Sequence, residues 1–106
     1  MIRAYKLWHG FLPHIPKDAR YTVGAKVDSA FIETVEAVFR ASITAKDKKI
    51  AYIEEASIKL DIVKFFLQII WEIKALDTKK YALISAELNE IGRMIGGWLR
   101  QAMSRN

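Results

Sequence analysis

Apolar residues recur at steps of three and four along most of the chain. Alternation with period two is nowhere sustained, so the pattern predicts helices and no sheet. From Tyr81 the stripe runs through Ile84, Leu88, Ile91, Ile95, Trp98 and Ala102. A second stripe takes in Val27, Phe31, Val35 (or Thr34), Val38 and Ser42, and a third Ile53, Ser57, Leu60, Val63, Leu67 and Ile70. Punctuation separates them. Pro13 and Pro16 share one loop after a short first piece, and Pro16 suits the first turn of the helix that follows. Thr44 to Asp47 reads as a capping sequence of the S/T-x-x-D/E kind, and Asp77-Thr78 as a second cap. The predicted helices are 2–12, 17–44, 47–76 and 78–103. Short connections make neighbours antiparallel, so the expected fold is all-α, an up-down four-helix bundle forming one domain over residues 1–106.

Two features fit poorly with a self-sufficient protomer. The first helix is far shorter than its partners, which leaves part of the groove between them without a lid. The third carries Ile62, Phe65, Phe66, Ile69 and Ile73 beside its core seam of Leu60, Val63, Leu67 and Ile70. A helix apolar on more than one stripe is buried on two sides, so these five residues are the expected subunit interface of a ring-shaped oligomer; an unusually thick core is the plainer alternative. Gly92, Gly96 and Gly97 each cost a helix interior about 1 kcal/mol relative to alanine. Gly92 and Gly96 share a face, where tight packing of another helix is expected to offset that cost.

Composition then narrows the chemistry. The chain has 106 residues, 52% hydrophobic and 27% charged, which excludes a disordered or linker-rich protein. Cysteine is absent, so no disulfide, thiolate zinc site or cysteine nucleophile exists. The two histidines, His9 and His14, stand outside any Glu-x-x-His spacing. Ser29, Ser42 and Ser57 lack a base at a readable distance and read as small core residues. No P-loop, G-x-G-x-x-G or H-E-x-x-H motif occurs. A non-enzyme without metal or cofactor is expected. The densest apolar run, Phe65 to Trp71, contains Gln68 and is fenced by Lys64 and Glu72, too short to span a bilayer, so a cytoplasmic protein without a membrane partner is expected.

Seventeen Lys and Arg against twelve Asp and Glu leave a net charge of +5. An up-down bundle brings the connection between the second and third helices next to the tail of the fourth. That end gathers Arg40, Lys46, Lys48, Lys49, Arg93, Arg100 and Arg105, opposed mainly by Glu36, Asp47, Glu54 and Glu55. From Ile91 to the last residue no acid occurs. Cations repeated around a ring sum into a field able to hold a phosphate backbone, so these seven are the candidate nucleic-acid contacts, through phosphates rather than base edges.

Two segments carry a resemblance. Pro16-Lys-Asp-Ala-Arg-Tyr-Thr-Val-Gly24 resembles the loop and helix start of small bacterial four-helix-bundle proteins, including those encoded in intervening sequences of ribosomal RNA genes. Leu88-Asn-Glu-Ile-Gly-Arg-Met-Ile-Gly-Gly-Trp-Leu99 is similar to the final helix of the accessory variability determinant (Avd) proteins of diversity-generating retroelements. The narrower resemblance implies a homopentameric barrel. It also implies partnership with the retroelement's reverse transcriptase and template RNA during mutagenic cDNA synthesis, with no chemistry of its own. The broader one implies the same fold with a structural or nucleic-acid-binding role. Only the first type is expected beside a reverse transcriptase gene.

Overall fold

The computed structural model describes residues 1–104, so Arg105 lies outside the described residues. The first helix is Ile2–Phe11, running into a 3-10 turn at Leu12–His14. The second spans residues 17–43. It opens with a single turn, Lys17–Ala19, widens into a π turn at Arg20–Gly24, and continues as regular α-helix over Ala25–Ile43. The third is Lys46–Glu72 and the fourth Thr78–Ser104. No strand occurs among the described residues.

Contacts between helices establish the antiparallel order. Lys59 bridges to Glu33, while the Lys26 ammonium lies over the Phe66 ring, so the second and third helices run oppositely. Lys64 lies beside Gly92 and Lys49 over Trp98, which sets the fourth against the third. The first helix is fastened by Asp28, whose carboxylate accepts the Tyr5 hydroxyl at 2.8 Å and the Trp8 indole N–H at 3.1 Å. At about 1.5 Å per residue the ten-residue first helix covers roughly 15 Å of partners about 40 Å long.

The core follows the expected stripes with instructive shifts. Trp8, Val27, Phe31, Ile53, Val63, Ile70 and Ile84 are wholly buried. On the second helix the contact face turns toward Ala30, Thr34, Ala37 and Ala41. These small residues let the second and third helices approach closely, and Thr34 satisfies its hydroxyl by donating to the Ala30 carbonyl at 2.7 Å. Ser42, expected in the stripe, is exposed and donates to the Phe39 carbonyl.

The boundaries need two corrections. Thr44 does not cap the third helix. Its hydroxyl donates back to the Arg40 carbonyl and closes the second, leaving Ala45 at the N-cap of the third without a side-chain bond. The third helix ends at Glu72 rather than 76, because Lys74 takes a left-handed conformation (φ 65°) and the Ala75 N–H returns to the Ile70 carbonyl at 2.9 Å, a Schellman-type closure. Asp77 does cap the fourth helix, accepting the Lys80 N–H at 2.8 Å and pairing with the Lys80 ammonium. Both contacts, the ammonium's first, hold its carboxyl below its ordinary range.

Candidate nucleic-acid interface

The two-residue link at Thr44 and Ala45 brings the start of the third helix beside the tail of the fourth. Lys46, Lys48 and Lys49 occupy the first turn of the third helix. This placement opposes the helix dipole, whose positive end disfavours cations by a few tenths of a kcal/mol to about 1 kcal/mol each. Only Asp47 in that turn has the sign the dipole favours. Arg40, by contrast, lies in the last turn of the second helix, where a cation is favoured.

Partners divide the cations further. Arg40 is 3.6 Å from Glu36 on its own helix, and Arg93 pairs with Glu90. Among the described residues Lys46, Lys48, Lys49 and Arg100 make no ion pair. The guanidinium of Arg100 folds back along its helix over Gly96 and Gly97. A Cβ built at Gly96 meets only that side chain within 4 Å, so within the protomer no neighbouring helix approaches closely there, contrary to the expectation for this residue. Gly92 does face another helix: a Cβ there meets the Lys64 ammonium at 3.2 Å and a Leu60 methyl at 3.6 Å.

Trp98 stands at the centre of this end. The Lys49 ammonium lies 5.8 Å from its ring centroid, within cation–π range. On one side is a small cavity of about 110 Å³ lined by Lys46, Lys49, Trp98, Gln101 and Ala102. On the other is a mainly apolar groove of about 440 Å³, bounded by Met1, Val38, Ile91, Met94, Ile95 and Trp98, with Gln101 at its edge. The groove opens beside Met1, at the start of the first helix. Trp98 was legible in the sequence only as a core position; that it borders the lysines follows from the fold.

The third helix presents its second apolar face outward. Ile58, Ile62, Phe65, Ile69 and Ile73 step by three and four along it, opposite the core seam. Phe65 is 60% and Ile73 55% exposed, while Ile62, Phe66 and Ile69 are half-buried. Phe66 turns toward the second helix, edge-on to Phe65 and under the Lys26 ammonium. Ile58, 61% exposed, extends the stripe and was missed, although it precedes Phe65 by two helical turns.

Among the described residues no three His, Cys, Asp or Glu side chains converge as metal ligands, and no helix is long and apolar enough to cross a membrane. No curated protein and no solved structure matches the chain. A family model described as bAvd-like matches residues 3–102, nearly the whole chain and all four helices. The chain therefore belongs to the bAvd-like family.

Proposed function

We propose that this protein is a non-catalytic, cytoplasmic accessory protein of a diversity-generating retroelement. It assembles as a homopentameric ring and holds the reverse transcriptase and template RNA or cDNA together during mutagenic retrohoming. Family membership supports the retroelement setting. The observation that carries the nucleic-acid part is the lysine trio in the first turn of the third helix. Lys46 and Lys48 stand against the dipole without ion-pair partners among the described residues, and Lys49 gains only its contact with the Trp98 ring, whereas phosphates would neutralise all three. Arg93 and Arg100 extend the surface and Arg40 flanks it, with Arg105 a further candidate from its place in the sequence alone. The outward stripe of the third helix supports the ring, since a heterologous contact repeated by rotation closes without a free edge.

Anisotropy titration of a labelled RNA at low and moderate salt tests the reading. The parent binds weakly and without sequence preference, and affinity falls steeply with salt as counterions are released. A triple variant, Lys48→Met, Lys49→Met and Arg93→Met, binds more weakly while melting like the parent. Equal binding by parent and variant, or affinity indifferent to salt, overturns the phosphate reading.

A further inference from the structure

The three tryptophans are not equivalent. Trp8 is wholly buried and bonded to Asp28. Trp71 stacks on Tyr81 at 4.7 Å with planes 7° apart, and its N–H donates to Thr78. Trp98 is half-buried, and among the described residues it has neither an aromatic partner nor an acceptor for its indole N–H. It continues the buried stripe of Ile84, Leu88, Ile91 and Ile95, yet stays partly open beside the groove that Met1 also borders. The cavity beside it is lined by Lys46, Lys49, Gln101 and Ala102 as well as Trp98, and no acidic residue lines it among the described residues.

Building on the phosphate reading above, we infer that Trp98, with Lys46, Lys49 and Gln101, forms a base-stacking site selective for single-stranded nucleic acid. A flat ring with open surface beside two mobile ammoniums matches what one unpaired nucleotide offers: a π face and a flanking phosphate. Lys49 is poised for both roles. Its ammonium is attracted to the ring in the free protein and swings to the phosphate when a base takes its place. The Gln101 amide can donate to and accept from a base edge without choosing one base, so the site is tolerant of sequence. A base inside a duplex has both faces covered by its neighbours and cannot enter.

The test compares a labelled single-stranded oligoribonucleotide with an RNA duplex carrying the same number of phosphates, for the parent, Trp98→Leu and Trp98→Phe. The expected result is tighter binding of the single strand by the parent, and a loss of about tenfold in Trp98→Leu for the single strand alone. Trp98→Phe, which keeps a ring, restores most of it. In the parent, the single strand quenches tryptophan emission and the duplex does not; this readout needs no variant and stands even where a substitution unfolds the protein. Loss of both ligands alike in a folded Trp98→Leu, or absence of quenching by a bound single strand, overturns the stacking site while leaving the phosphate reading intact. A parent that binds neither ligand overturns both.

Discussion

Asp28→Ala removes the more buried of the first helix's polar anchors and leaves the surface pair of Arg3 with Glu87 in place. The wild-type carboxylate accepts two hydrogen bonds from the first helix, the Tyr5 hydroxyl at 2.8 Å and the Trp8 indole at 3.1 Å. Trp8 has 0% exposure, so without the carboxylate its N–H is left unpaired away from water, at a cost of about 1–3 kcal/mol. The Tyr5 hydroxyl is only half-buried and can turn to solvent, losing about 1 kcal/mol. The sum is about 2–4 kcal/mol, which for a domain of this size lowers Tm by roughly 10–25 °C. Asp28→Asn keeps an acceptor oxygen without the charge and should lose about 1 kcal/mol. Melts followed by circular dichroism at one fixed protein concentration measure both, since association would otherwise shift the midpoint. Tyr5 supplies an independent readout. Burial first, and then the bond to Asp28, raise its phenol above the ordinary range, so the alanine variant should return part of that rise in an ultraviolet titration. An alanine variant that melts within about 3 °C of the parent would show that the Asp28 bonds are not needed to fasten the first helix, apolar packing and the Arg3–Glu87 pair being enough.

Two further outcomes follow from local geometry. Gly24→Ala should destabilise by about 1 kcal/mol or more while Gly97→Ala should gain up to about 1 kcal/mol, because a Cβ at Gly24 lies 3.2 Å from the Ala19 carbonyl oxygen inside the π turn whereas one at Gly97 touches only the tip of Arg100 at 3.8 Å. Thermal melts of the two variants should therefore move in opposite directions. Glu33 is held below its ordinary 4.5 by bonds from Lys59 and then Ser29, and Asp77 below its ordinary 3.8 by Lys80. Groups lowered in the folded state add stability above their unfolded pKa and lose it as pH falls through the folded one. Urea midpoints should thus hold down to about pH 4.5 and decline below it, and the decline should be shallower in Glu33→Gln.

How far the sequence reached depended on whether a feature belonged to one helix or to several. Stripes are properties of a single helix, so the four elements, the core seam of the third and the cap at Asp77 were readable from spacing. The end of the third helix was not, because the left-handed position that closes it is held by Lys74 rather than the glycine such a site favours. Thr44 had two carbonyl and amide neighbours to choose between, and the choice fell to the helix behind it. Ala41 replaces Ser42 in the core because the second helix rotates to place its alanines against the third, a decision made by the partner's surface. The face of Gly96 and the surroundings of Trp98 likewise depend on how several helices come together.

The placement of the two apolar surfaces sets a last expectation about the proposed ring. The outward stripe runs along the flank of the bundle from Ile58 to Ile73, about 22 Å at the helical rise. Lys46, Lys48, Lys49 and Trp98 lie instead at one end. Packing flanks by pure rotation leaves that end free and points every copy the same way, so the cations of all protomers share one rim. An isologous pair would lack this closed alignment. Phosphate binding should then be a property of the rim more than of the protomer. Phe65→Asn with Ile69→Asn removes the apolar contact without altering charge, and light scattering should report a species near 12.2 kDa. That monomer keeps every cation, yet its RNA affinity should fall well below the parent's. Its slope of log affinity against log salt should shrink too, because fewer phosphates are neutralised by one molecule. A folded monomer that binds with the parent's affinity and slope would refute the shared rim and return the site to the single bundle.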